Sequence, residues 1–101
     1  MTYRLTFAPS FEDDVQEKID WLRGQGVAER VIEAWFVKLY RQLESIAVWP
    51  RSYPIDEAYS DSLGRESRKI SFKDHVVIYQ VDEAEREVVV VAFVHGATRR
   101  G

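Results

Sequence analysis

Cysteine is absent from this chain of 101 residues. Its absence excludes a disulfide framework, a thiolate zinc site, an iron–sulfur cluster and a cysteine nucleophile. Histidine is scarce. With only two, a zinc site would have to lean on carboxylates, an uncommon donor set, so no metal or cofactor is expected. An excess of positive charge is missing too. Lys and Arg number 14 against 17 Asp and Glu, a net charge of −3. A small protein that grips nucleic acid over a broad surface is usually basic, because phosphate neutralisation supplies most of the affinity. Direct nucleic-acid binding over a wide face is therefore not expected, although a local basic site remains open. No apolar run approaches the roughly 20 residues of a membrane span. Met1-Thr2-Tyr3-Arg4 leads into a strand-like segment and lacks the long apolar region of a signal peptide. The expectation is a soluble, cytoplasmic protein with no membrane contact. P-loop, dinucleotide fingerprint, zincin motif and nucleophile elbow are all missing.

What is present suffices for a core. Hydrophobic residues make up 46% of the chain and aromatics 13%, which excludes disorder throughout and fits one domain over residues 1–101. Tyr3-Arg4-Leu5-Thr6-Phe7-Ala8 alternates with a period of two, as a half-buried strand does, and Pro9 ends it. Ser10 reads as a helix N-cap, with Glu12, Asp13 and Asp14 in the first turn, where a helix favours negative charge. Phe11, Val15, Ile19 and Leu22 give that helix an apolar face, and Arg23-Gly24 stops it. A second helix is expected from about Ala28 to Val48. Val31, Ile32, Trp35, Leu39, Leu43 and Ile46 form its stripe, and Trp49-Pro50 breaks it. The short break around Gly26 makes the two an antiparallel hairpin.

Residues 51–64, with Pro54, Gly64 and several serines and acids, read as a long loop and so as a candidate binding segment. The last third reads as three strands. Arg65 to Phe72 alternates, with Glu66, Arg68, Ile70 and Phe72 on one face. Lys73-Asp74 is a turn, His75 to Val81 a second strand, Asp82 to Glu85 another turn and Glu87 to Val94 a third strand. The run Val88 to Val94 is apolar on both faces and belongs at the centre of a sheet. The fold class is therefore α+β: an N-terminal strand, a helical hairpin, then a three-stranded antiparallel meander with the helices on one face. Two helices on one face leave apolar surface on the other for loops or a partner to cover.

Three constellations could carry function. Arg65, Arg68, Lys69 and Lys73, with His75, His95, Arg99 and Arg100, could hold phosphate and move protons in a metal-independent RNA cleavage. Equally, strand edges carry Lys and Arg to deter aggregation, and alternation puts Arg68 and Lys69 on opposite faces. Asp13 and Glu17, one helical turn apart beside Glu12 and Asp14, could hold a metal; a helix-dipole role explains these acids with less. Trp21, Trp35, Phe36, Tyr40 and Trp49 have the spacing of core aromatics, while Trp21 and Tyr40 at the stripe edges could anchor a partner.

The order and spacing of these pieces resemble ParE toxins of the RelE/ParE superfamily, from bacterial type II toxin–antitoxin modules. The likeness covers nearly the whole chain. It rests on Tyr3-Arg4-Leu5-Thr6-Phe7-Ala8-Pro9 before an acidic helix, and on Leu43-Glu44-Ser45-Ile46 followed by Pro50. It continues in Arg65-Glu66-Ser67-Arg68-Lys69-Ile70, then His75-Val76-Val77-Ile78-Tyr79-Gln80-Val81-Asp82, and closes with Val94-His95-Gly96-Ala97-Thr98-Arg99. The resemblance implies a RelE/ParE-like fold and a cognate antitoxin, ParD-like or similar, in a heterotetramer or larger complex. It also implies DNA gyrase as a target that is poisoned by binding, without catalysis. The candidate target-binding residues are then Arg65, Arg68, Lys69, Lys73, His95, Arg99 and Arg100, and the candidate antitoxin-binding residues are Trp21, Trp35, Tyr40 and Phe93. RelE-like relatives are ribosome-dependent mRNA endonucleases, and on that alternative His95, Arg68 and Lys69 would be catalytic. The acidic balance and an Arg99-Arg100-Gly101 ending without tyrosine depart from that branch.

Overall fold

In the computed structural model the described residues are 2–96. Among them the chain runs β1 (Arg4–Phe7), α1 (Pro9–Gly24), α2 (Glu29–Val48), α3 (Glu57–Leu63), β2 (Arg68–Phe72), β3 (His75–Asp82) and β4 (Glu87–His95). The sheet order is β1-β4-β3-β2. β2, β3 and β4 form the expected antiparallel meander, and β1 returns to pair with β4 in parallel. Val81↔Val88 and Leu5↔Val88 fix the register across β3, β4 and β1.

α1 and α2 lie on one face of this sheet. Phe11 and Val15 of α1, and Leu39, Leu43 and Ile46 of α2, meet Ile70, Phe72, Val77, Tyr79, Val88, Val90 and Phe93 in one core. Aromatic edges lock it: Phe7 and Tyr40 sit 5.0 Å apart, and Trp35 meets Phe72 and Phe93 at 5.8 Å each. The buried Tyr79 hydroxyl donates to the Pro50 carbonyl at 2.6 Å, tying the end of α2 to the sheet. Burial raises the Tyr79 phenol far above its ordinary range.

The apolar run of β4 is explained by a bulge. Ile78 pairs with Ala92 but Tyr79 pairs with Val90, so Val91 is the extra residue. Uninterrupted alternation from Val88 and Val90 would turn Ala92 and Val94 toward the helices. The bulge resets the phase and turns Phe93 and His95 there instead. Val76, Ile78, Val89, Ala92 and Val94 then occupy the opposite face, where Val76 and Ile78 are buried and the β4 residues half-buried.

α1 holds this bulge. The Ser10 hydroxyl donates to the Val91 carbonyl at 2.6 Å, and the Phe93 N–H donates to Asp14 Oδ2 at 3.0 Å. Residues 10 and 14 are one turn apart on the same helix face, so α1 satisfies the backbone groups that the bulge removes from the ladder. Ser10 is therefore not the N-cap. Ala8 is, in extended conformation, and Pro9 takes the first helical position, where its missing N–H is harmless.

Residues 51–64 do not remain a loop. Asp56 caps α3 by accepting the Tyr59 N–H at 3.0 Å, and Gly64 ends it in the left-handed region at φ 70°. β2 starts at Arg68 rather than Arg65, because Ser67 is taken by this segment. Its carbonyl accepts from Asp56 N–H, and its own N–H donates to Ser60 Oγ.

Asp14→Ala leaves the Phe93 N–H without its acceptor, and the expected loss of stability is about 2 kcal/mol. Asp14→Asn keeps a carbonyl acceptor and should lose less. Urea unfolding of the three proteins checks this; equal midpoints would remove the helix–bulge bond as a stabilising contact.

Candidate functional site

A concavity on the surface lies where α1 meets the paired ends of β3 and β4. It is a groove of about 520 Å³ lined by Asp14, Glu17, Lys18, Trp21, Asp74, His75, Phe93, Val94 and His95. The bulge is what brings Phe93 and His95 into it.

Asp74 organises the histidines. Its Oδ1 lies 2.8 Å from His75 Nδ1 and its Oδ2 lies 3.5 Å from His95 Nε2. Its carbonyl accepts the Gly96 N–H at 2.9 Å. The His75 ring stacks on Phe93, centroids 4.4 Å apart and planes 4° from parallel, and meets the His95 ring edge-on at 5.2 Å. Burial against Phe93 pushes the His75 pKa below its ordinary value; Asp74 opposes that shift, while Lys18 and His95 add to it. The hydrogen bond from His75 holds Asp74 below the usual carboxylate range. On the outer wall, Lys18 Nζ sits 4.3 Å from the Trp21 ring centroid, and Trp21 is 55% exposed.

The basic strand lies elsewhere. Arg68 stands opposite Tyr79, whereas His75 stands opposite Phe72. Four residues along β2 separate them, about 13 Å at strand rise. The Arg68 side chain is 14% exposed and donates to the Tyr53 carbonyl at 2.6 Å and the Arg51 carbonyl at 3.3 Å, with Glu66 at 3.4 Å. Lys69 lies 3.8 Å from buried Asp56, and Arg65 donates to the Val81 carbonyl. These three cations hold the connector 51–67 on the sheet. Lys73, exposed in the β2–β3 turn, is the basic-strand candidate among the described residues that lies at the histidine end. The structure thus brings His75 and His95 together and keeps both apart from Arg68 and Lys69. Arg99 and Arg100 lie outside the described residues.

The aromatic candidates divide in the same way. Trp21 presents its ring at the groove. Trp35 is half-buried against Phe72 and Phe93, and Phe93, 4% exposed, belongs to the core. Tyr40 is half-buried between Phe7 and Phe36, and burial raises its pKa. Trp49, 70% exposed, joins Tyr3, Val48, Pro50, Arg51 and Ser52 around a second hollow of about 400 Å³. There Glu83 accepts from Tyr3 and pairs with Arg51, and Arg86 lies over the Tyr3 ring. The sequence reading left this hollow out of the site; the apolar pair Val48-Trp49 at the helix-ending proline was its signal. Glu12, Asp13 and Glu17 are exposed on α1. Among the described residues, no group of three or more histidine or acidic side chains is disposed to hold a metal ion.

Because folded His75 binds a proton less readily than an unfolded histidine, the unfolded state holds more protons below about pH 6.5. Stability should therefore fall as pH drops from 7 toward 5. His75→Gln should flatten that part of the profile; an unchanged slope in urea midpoints would show that His75 is not the titrating group.

The sequence model of the family described as "ParE toxin of type II toxin-antitoxin system, parDE" matches residues 5–100. Among solved structures, the fold is similar to a chain of the toxin–antitoxin complex RelBE2 from Mycobacterium tuberculosis. The TM-score is 0.59 at 12% identity, over 94% of this chain and 99% of that one. Curated proteins yield no match.

Proposed function

The chain belongs to the ParE toxin family of type II toxin–antitoxin systems, and from that premise we propose that it acts by binding and poisoning DNA gyrase in the cytoplasm and is neutralised by a cognate antitoxin. The observation that carries the choice of binding over catalysis is the separation along β2 and β3. RNA cleavage by the sequence-derived set requires a histidine beside Arg68 or Lys69. The histidines lie at the far end of the strand pair, and both cations are engaged by the connector, Arg68 by backbone carbonyls and Lys69 by Asp56. An active site must converge within hydrogen-bond reach of one reacting group.

What the surface does offer is apolar contact. Trp21, Phe36, Val37, Val48 and Trp49 are exposed, and aromatic residues of this kind anchor protein interfaces. They are the surface we assign to partner binding, with Trp21 alone of the four sequence-derived antitoxin candidates strongly exposed. Among the described residues, the exposed target-binding candidates are Arg65, Lys73 and His95, and of these Arg65 donates to the Val81 carbonyl.

The test separates gyrase from mRNA in purified reactions. One follows supercoiling and trapped DNA cleavage by gyrase; the other follows message on translating ribosomes. The expected result is cleaved DNA held on gyrase with intact mRNA. Cut mRNA with unaffected gyrase would overturn the proposal and put the protein with the RelE-like nucleases.

A further inference from the structure

We propose that the groove between α1 and the ends of β3 and β4 is a seat for a basic side chain, best an arginine, of the neutralising protein partner. The partner's identity rests on the antitoxin reading above; the chemistry of the seat does not.

Four observations carry it. The first is shape: the groove is open to solvent yet walled by flat rings, Trp21 on one side and the His75–Phe93 stack on the other. The second is charge. Asp14, Glu17 and Asp74 line it against one lysine, Lys18, so the hollow carries more acid than base although Phe93 N–H occupies one Asp14 oxygen. The third is that the groove already attracts a cation of its own. Lys18 Nζ lies 4.3 Å from the Trp21 ring centroid, the arrangement in which an aromatic face holds positive charge. The fourth is what the buried His75 imidazole allows. With His75 kept neutral by burial, the inner wall does not repel an incoming cation at pH 7. A guanidinium suits this seat better than an ammonium. It is planar, stacks on an aromatic face and can fork to a carboxylate such as Glu17.

The experiment titrates the isotope-labelled full chain with N-acetyl-arginine amide, and with N-acetyl-glutamine amide as the neutral control, at pH 7.5. NMR reads the Trp21 indole N–H, assigned by its loss in Trp21→Phe, and the ring signals of His75 and His95. The arginine probe should shift these signals saturably and the glutamine probe should not. Glu17→Gln should weaken the arginine probe about threefold, the scale of one exposed ion pair. Lys18→Gln should strengthen it by a similar factor, because it removes the resident competitor from the Trp21 face. A folding defect would not produce that opposite sign. Equal shifts with both probes, shifts confined to the Trp49 hollow, or weakening by Lys18→Gln would each overturn the proposal. None of those outcomes touches the antitoxin reading, which stands or falls on complex formation by the whole chains.

Discussion

The constraint on which the rest of the molecule depends is the bulge at Val91 and its capture by α1. A bulge removes backbone groups from the ladder, and buried backbone groups without partners are costly. Ser10 and Asp14 supply those partners from one face of α1. The same two bonds fix the rotation and height of α1 against β4, and so decide which helix residues overhang the strand ends. Four residues beyond Asp14, Lys18 reaches the rim, and Trp21 follows it. On the strand side, the phase reset puts Phe93 into the core and His95 beside His75. The groove exists because helix and bulge are locked to each other.

A second division of labour concerns charge. In a chain of net −3 the basic strand looked like a surface for a target. In the structure Arg68 and Lys69 turn back onto the connector, to the Arg51 and Tyr53 carbonyls and to Asp56, and Arg65 reaches from the connector to the Val81 carbonyl of β3. An arginine as enclosed as Arg68 needs its donors used, and carbonyls at a helix end and loop need donors. The Nη atoms and these carbonyls meet each other's needs, while the buried Arg68 Nε has no hydrogen-bond partner among the described residues. The arrangement also accounts for α3. With Asp56 buried as its N-cap and held by Lys69, a stretch rich in serine and acid becomes one short helix along the β2 edge instead of a free loop. Its Ser60 and Ser67 hydroxyls close the joint.

Elements with a strong period were legible in the sequence. The stripe from Val31 to Ile46 placed α2 to within a residue, although Val31 itself is exposed, and the β2–β3 turn at Lys73-Asp74 followed from composition. The bulge was not legible, for a physical reason. Val88 to Val94 is apolar at every position, so no alternation exists whose break could be seen. Without the bulge the side on which Phe93 and His95 fall cannot be assigned, and neither can the groove. Asp14 was read with its neighbours as a helix-dipole acid because its true partner, a backbone N–H, leaves no mark on sequence. Pro9 was read as a strand end when it also starts a helix. α3 escaped notice because seven residues carry too little apolar period, and its cap residue Asp56 is one acid among several.

Exposed tryptophan is the remaining oddity, and its placement constrains any partner. Trp21 lies at the histidine end of β3, and Trp49 lies beside Tyr3 and Glu83 at the Asp82 end. β3 has 8 residues, about 25 Å at strand rise, and the two hollows lie toward its opposite ends. A compact domain of ordinary interface size covers one such ring comfortably and reaches the other only if its own face is equally long and matched. An extended segment of about eight residues, or a helix of about seventeen, spans the distance directly. A partner that orders as it binds follows the surface from one hollow to the other, and that mode favours a wrapped chain over a docked globule.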